Sequence, residues 1–117
     1  MKTIAVMHML YVQDMERAIQ FYEKALGFKT VQHSGFWSNL ECGNGGIALT
    51  TYGNKTELRQ TTLIIEVDDY QEAVESIKQN GGQIVKIHDP YEGAPVYNVE
   101  IIDTENNQLA VSQKVKQ

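Results

Sequence analysis

The chain repeats itself. Val12-Gln13-Asp14-Met15, followed by Ala18-Ile19 and closing on Gly27, returns as Val67-Asp68-Asp69-Tyr70, followed by Ala73-Val74 and closing on Gly82, with every matched pair at the same separation along the chain. Two copies of such a unit in so short a chain mean that one supersecondary unit is built twice and that each copy leaves a face for the other to cover. In each copy an apolar run (Ile4 to Val12, Thr61 to Val67) long enough for a strand meets an Asp placed as a helix N-cap. Asp69 has Glu72 three residues on, a capping-box pattern, whereas Asp14 has Arg17 there. Met15, Ile19, Tyr22 and Leu26 in the first copy, and Tyr70, Val74 and Ile77 in the second, then fall on one helix face at spacings of three and four. Gly27 and Gly81-Gly82 stand where a helix ends in a left-handed residue.

Three short extended runs follow each helix: Phe28 to His33, Phe36 to Cys42 and Ile47 to Tyr52, then Gln83 to Ile87, Pro95 to Ile102 and Gln108 to Gln113. Gly43-Asn44-Gly45-Gly46 and Asp103 to Asn107 are the hairpin turns. The expected fold is α+β, a single domain over 1–117, with βαβββ modules at 1–52 and 61–113, a polar connection over 53–60, and a frayed tail from Val115. Apolar residues make up 42% of the chain. A domain of this size and composition buries roughly two-thirds of its unfolded surface without disulfides or metals as staples.

A net charge of −5 and the lack of a basic cluster make nucleic acid and anionic membrane poor partners. The single cysteine, Cys42, has no internal partner and fits a reducing compartment, so the expected location is cytoplasmic. The N-terminal run, interrupted by His8 and Gln13, is too short and polar for a signal or a membrane span. Glu16, Glu23, Glu72 and Glu75 read as solubility charge on outward helix faces, and Cys42 as packed rather than nucleophilic.

The run from Val12 to Phe28, with Phe21-Tyr22 and Leu26-Gly27-Phe28 at its end, resembles the opening signature of the vicinal oxygen chelate superfamily: glyoxalase I, bleomycin-resistance proteins, fosfomycin-resistance enzymes and extradiol dioxygenases. The second half carries a weaker version, and Asp103-Thr104-Glu105-Asn106 stands at the family's characteristic turn. The resemblance implies eight strands in a mixed sheet curled around a cleft, and a homodimer. It also implies a divalent metal held by His and Glu from the first and last strand of each module, chelating adjacent substrate oxygens. By register those four positions are Met7, Thr62, Ala48 and Ala110, none of which is a usual ligand. No cofactor or metal is therefore expected. His8 lies one residue away, on the helix-packed side of the strand unless a bulge redirects it. His33 and His88 match at the repeat spacing and occupy equivalent strand ends, read as solvated loop histidines in preference to a symmetric metal pair.

Strand alternation from Met7 places Met9 and Tyr11 in the cleft, with Thr62, Ile64 and Glu66 on the counterpart strand. The same parity brings Thr50 and Tyr52 with Ala48, Gln108 and Ser112 with Ala110, and Trp37, Asn39 and Glu41 on the third strand. Thioether and aromatic walls suit a small organic ligand, aromatic or amphipathic, and the first expectation is a metal-free binding protein. A cleft filled by its own side chains is the bland counterpart. The alternative is a glyoxalase- or dioxygenase-class lyase or isomerase with atypical metal ligands, or with Glu41 or Glu66 as a partly desolvated base unless these reach solvent at the rim. Whether the chain is an enzyme stays open at this point. Glutathione has little support, since Tyr11 stands where the glutathione-dependent members carry an arginine and Tyr52 where they carry an asparagine. A dimeric interaction module without a small ligand is the third possibility.

Overall fold

A computed structural model describes residues 1–53 and 56–115. Its elements are β1 (His8–Tyr11), α1 (Met15–Leu26), β2 (Lys29–His33), β3 (Trp37–Cys42), β4 (Gly45–Thr50), β5 (Arg59–Glu66), α2 (Tyr70–Gln79), β6 (Gln83–His88), β7 (Val96–Ile102) and β8 (Asn107–Lys114). The expected order, βαβββ twice, is what forms. The eight strands are hydrogen-bonded as two four-stranded mixed sheets, β1-β4-β3-β2 and β5-β8-β7-β6. In each, the first strand runs parallel to the last, and the other pairs are antiparallel.

The helices form where the caps and periodicity put them. Asp14 accepts the Arg17 amide at 3.1 Å. At the other end α1 stops on Gly27 at φ 74°. That left-handed conformation is one glycine adopts without a Cβ clash. Asp69 accepts the amides of Gln71 and Glu72 at the start of α2. Met15, Ile19 and Tyr22 of α1 and Val74 and Ile77 of α2 are buried against Leu10, Leu40, Leu49, Val99, Ile101 and Val111 of the two sheets. The helices also pack on each other, Ser76 Oγ donating to the carbonyl of Lys24 at 3.2 Å. The molecule measures 42 × 38 × 22 Å. Its short dimension is that of one helix layer on one sheet layer. Among the described residues no helix covers the sheet faces turned away from α1 and α2.

Two expectations shift. β1 is four residues rather than nine, because β4 begins only at Gly45 and Ile4 and Val6 have no strand to pair with; both are more than four-fifths exposed. β5 starts at Arg59, two residues inside the expected connection, where Arg59 Nε donates to Asn107 Oδ1 and an Nη to the carbonyl of Tyr11. Residues 54 and 55 of that connection and 116 and 117 of the expected tail lie outside the described residues. The Asp103–Asn107 turn forms as expected and is buried: Asp103, Glu105 and Asn107 are at most 3% exposed. It is the join between the modules, described below.

Gly82 sits where α2 hands over to β6, and a Cβ there would lie 2.6 Å from Ile77 Cγ2 and 2.7 Å from Phe21 Cε1. Both side chains are fully buried and have nowhere to retreat. Gly82→Ala is expected to cost about 1–3 kcal/mol by overpacking, read as a lower urea midpoint at unchanged slope. An unchanged midpoint would contradict this packing.

Candidate functional site

Side-chain direction divides each sheet cleanly. In the first, Leu10, Ile47, Leu49, Ser38 and Leu40 face α1, which leaves Met9, Tyr11, Ala48, Thr50, Trp37, Asn39 and Glu41 on the open side. In the second, Leu63, Ile65, Val99, Ile101, Leu109 and Val111 face α2, leaving Ile64, Glu66, Asn98, Glu100, Gln108, Ala110 and Ser112 open. His8 pairs with Ile47 and shares its face, and β1 has no bulge to turn the imidazole round.

On the first open face the expected residues do meet. Trp37 Nε1 donates to Asn39 Oδ1 at 3.0 Å, and Asn39 Nδ2 donates to Met7 Sδ at 3.5 Å. Met7, Met9 and Trp37 are 52%, 42% and 37% exposed, an apolar surface held in place by an amide. Beside it an open concavity of about 590 Å³ is lined by Ile4 to Met7, Asn39, Glu41 and the Gly43–Gly46 turn. Thr50 is buried, its hydroxyl spent on the carbonyl of Phe36 and the amide of Tyr52. Ala48 lies wholly beneath its neighbours. Tyr52 falls beyond the end of β4, where strand parity no longer holds, and stacks on Phe36 at 5.7 Å. The Tyr11 ring lies under the Arg59 guanidinium, 5.9 Å away, so it belongs to the join.

The second open face has its own concavity, about 420 Å³, lined by Thr62, Ile64, Asn98, Glu100, Gln108 and Ala110 among others. The residues expected to share one cleft therefore divide between two, because the strands form two separate sheets. Glu41 is solvent-exposed, and Glu66 is exposed and 3.7 Å from Lys114 Nζ, so neither has the burial a desolvated base requires.

His33 and His88 are not equivalent. β2 and β6 each carry a register shift, and the helix-facing positions paired before it, Thr30 with Leu40 and Ile84 with Ile101, do not match under the repeat: Ile84 falls one position short. That one-residue difference reverses the face. His33 points to the helix side, between Ser38 Oγ at 2.9 Å and Glu16 Oε1 at 2.8 Å. Ser38, His33 and Glu16 have the order of a nucleophile, base and orienting carboxylate, but Ser38 is fully buried and no substrate reaches it. His88 lies on the open side, its Nε2 2.6 Å from Glu100 Oε2. That contact pulls the Glu100 carboxyl below its usual range against the opposing effect of burial, and the Lys86 charge and the Gln108 amide act in the same direction as His88.

The sequence reading also missed the buried acid at the join. Glu105 Oε1 accepts the amides of Gln13 and Asp14, both at 2.8 Å, and Oε2 accepts Arg17 Nε at 2.7 Å and Thr104 Oγ1 at 2.8 Å. Arg17, the residue that interrupts the first capping box, is thus the partner of a carboxylate 88 residues away. Asp103 beside it accepts the Tyr22 hydroxyl at 2.6 Å. Burial pushes the Asp103 carboxyl up, and burial followed by the Asp103 charge pushes the Tyr22 phenol far up.

The donor set does not fit a divalent metal. Met7, Thr62, Ala48 and Ala110 offer a thioether, a hydroxyl and two methyls, and no group of three His, Cys, Asp or Glu side chains able to hold a metal ion occurs among the described residues.

Residues 4–111 match the family model for the Glyoxalase/Bleomycin resistance protein/Dioxygenase superfamily. A curated relative, lactoylglutathione lyase of Escherichia coli O157:H7, is 29% identical over 81% of this chain and 88% of its own length. Lactoylglutathione lyase of Neisseria meningitidis serogroup A is 24% identical over 91% of this chain and 87% of its own. Among solved structures, lactoylglutathione lyase from Agrobacterium tumefaciens superposes with a TM-score of 0.75 at 19% identity, over 96% of this chain and 94% of the other. A glyoxalase/bleomycin resistance protein/dioxygenase family enzyme from Burkholderia phytofirmans PsJN superposes with a TM-score of 0.77 at 17% identity, over 93% of this chain and 97% of the other. These two likenesses speak to the fold.

Proposed function

Because the chain belongs to the Glyoxalase/Bleomycin resistance protein/Dioxygenase superfamily, we propose that it binds a small, aromatic or amphipathic organic molecule on the open sheet faces, without a metal, as a homodimer in the cytoplasm. One observation carries the reading. Where the family holds its cation this chain has methyl, hydroxyl and thioether groups, and around them Met7, Met9, Trp37 and Ile64 stand 37–63% exposed. Large apolar side chains grouped on one face cost solvation unless something covers them. Each concavity is open along one side, and a second copy laid across it would close it into a pocket with walls from both subunits. Met and Trp suit such a pocket, adapting to a flat apolar ligand through polarizable contacts while Asn39 and Glu41 orient its polar groups. The reducing interior fits the single thiol of Cys42.

The test is thermal. Saturating the metal-free protein with indole at about ten times its Kd should stabilise it by about 1.4 kcal/mol, a rise of several degrees in Tm. Trp37→Ala should abolish that rise while leaving the ligand-free midpoint nearly in place, since Trp37 is a surface residue. Purified protein carrying stoichiometric Ni, Zn, Mn or Fe, with an activity lost on chelation, would overturn the proposal. That result would favour the second reading, a lyase of the kind for which the curated relatives are named.

A further inference from the structure

The open face of the second module carries a polar constellation that binding of a purely apolar ligand leaves unused. Glu100, in the middle of β7, has one donor on each carboxylate oxygen: His88 Nε2 at 2.6 Å from Oε2 and Gln108 Nε2 at 3.3 Å from Oε1. The carboxylate is therefore fixed in orientation, and each oxygen keeps a free lone pair. Its side chain is 34% exposed and lines the 420 Å³ concavity. Asn98 and Gln108 supply the neighbouring polar wall, and Ile64, 63% exposed, with Ala110 supplies a flat apolar floor. Lys86, the cross-strand neighbour of Glu100, is exposed; its charge favours the ionised carboxylate, but it makes no contact with it at salt-bridge distance among the described residues.

The corresponding position in the first module, reached through the pairings of Ala48 and Ala110, is Asn39. The two faces thus differ in kind: a neutral amide among thioether and indole on one, an anchored anion above an aliphatic floor on the other. We propose that the second concavity recognises an organic cation, a primary amine or guanidine carried on a flat apolar body, with Glu100 as its ionic anchor and His88 and Gln108 as positioning residues. A carboxylate already held by two donors loses little freedom when a third arrives, which is what makes it a better anchor than a mobile surface acid. His88 contributes a second way. By holding the carboxyl ionised, it keeps an acceptor-only group facing the concavity. The inference rests on the ligand-binding reading and adds the charge of the ligand and the place of its head group.

The experiment titrates the isotope-labelled full chain, followed by NMR, with phenethylamine and, separately, with 2-phenylethanol, the same body without the charge. Amine-specific shifts are expected at Glu100, His88 and Gln108. Glu100→Gln should weaken the amine about tenfold and leave the alcohol unchanged. His88→Gln, which keeps the carboxylate and removes its support, should weaken the amine by about threefold, a second readout if Glu100→Gln fails to fold. Equal amine affinity in wild type and both variants, or amine shifts confined to Trp37 and Met9, would overturn this inference alone provided the alcohol still binds. Binding of neither probe would overturn it together with the ligand-binding reading.

Discussion

Glu105→Ala is expected to lower stability by about 3–5 kcal/mol and the thermal midpoint by roughly 10–20 °C. Glu105 is fully buried in the join, and its carboxylate makes its bonds to the first module and to its own turn. Alanine would orphan two backbone amides, those of Gln13 and Asp14, at the N-terminus of α1, where the helix dipole also favours a negative charge. It would leave the guanidinium of Arg17 without its partner, but Arg17 is half exposed and can turn to water. Arg17→Met is therefore expected to cost only about 1–2 kcal/mol, since Glu105 keeps three of its donors. The double variant should fall well short of additive, because the two singles remove one shared contact. Equal losses for Glu105→Ala and Arg17→Met in urea unfolding would show that the ion pair, not the capping of α1, holds the modules together.

What was legible in the sequence is what depends on spacing within one element. The repeat, both N-caps, the Gly27 stop and the buried helix faces follow from periods of three to four and from capping chemistry. So does the division of β1, β3, β4, β5 and β8 into two faces, since strand parity needs only an anchor and a direction. What was not legible depends on how elements meet. The length of β1 is set by where β4 begins, beyond a helix and two further strands, and nothing near Ile4 says so. The separation of His33 from His88 hangs on a single residue gained or lost between helix and strand, which a repeat matched through Gly27 and Gly82 hides. Thr104-Glu105-Asn106 reads only as a polar hairpin turn, and nothing local to it says that it is buried. Only the fold reveals that another helix needs its N-terminus capped there. Arg17 was the available signal, a basic residue where the second module has the acid Glu72.

The same reasoning locates the missed Glu100. Its importance comes from Asn98 and His88 being cross-strand partners on the open side, a consequence of the register shift and not of any local pattern. An acid flanked by Val99 and Ile101 on an otherwise alternating strand looks like an ordinary outward-facing residue. The two modules thus share one backbone plan while the groups that project from their open faces differ, Asn39 in the first and Glu100 in the second.

Alkaline pH should separate the contribution of Tyr22 from everything else in the core. The phenol is wholly buried and donates to Asp103 Oδ2, and its pKa in the folded chain lies well above the ordinary value of 10.0. Above that ordinary value the unfolded chain gives up the proton while the folded chain retains it, so the unfolded state binds fewer protons and stability falls as pH rises. The slope from this one group is half its limit at about pH 10, approaches about 1.4 kcal/mol per pH unit about one unit higher, and continues up to the folded pKa. Tyr22→Phe loses the donor to a buried carboxylate and is expected to be weaker than wild type by about 1–3 kcal/mol near neutral pH. It has no proton to lose, so its decline with pH is shallower by one proton. The two stability curves should therefore converge between about pH 11 and about pH 12, where the penalty in wild type has grown to match the hydrogen bond it protects. Asp103 acts on the other side: its raised folded pKa adds stability below its ordinary value of 3.8 that is lost as pH rises through the folded pKa, so it softens acid unfolding. Urea midpoints for both proteins at mildly alkaline pH and at about one unit above the ordinary phenol value decide the matter, and parallel curves would mean that Tyr22 ionises in the folded chain as readily as in the unfolded one.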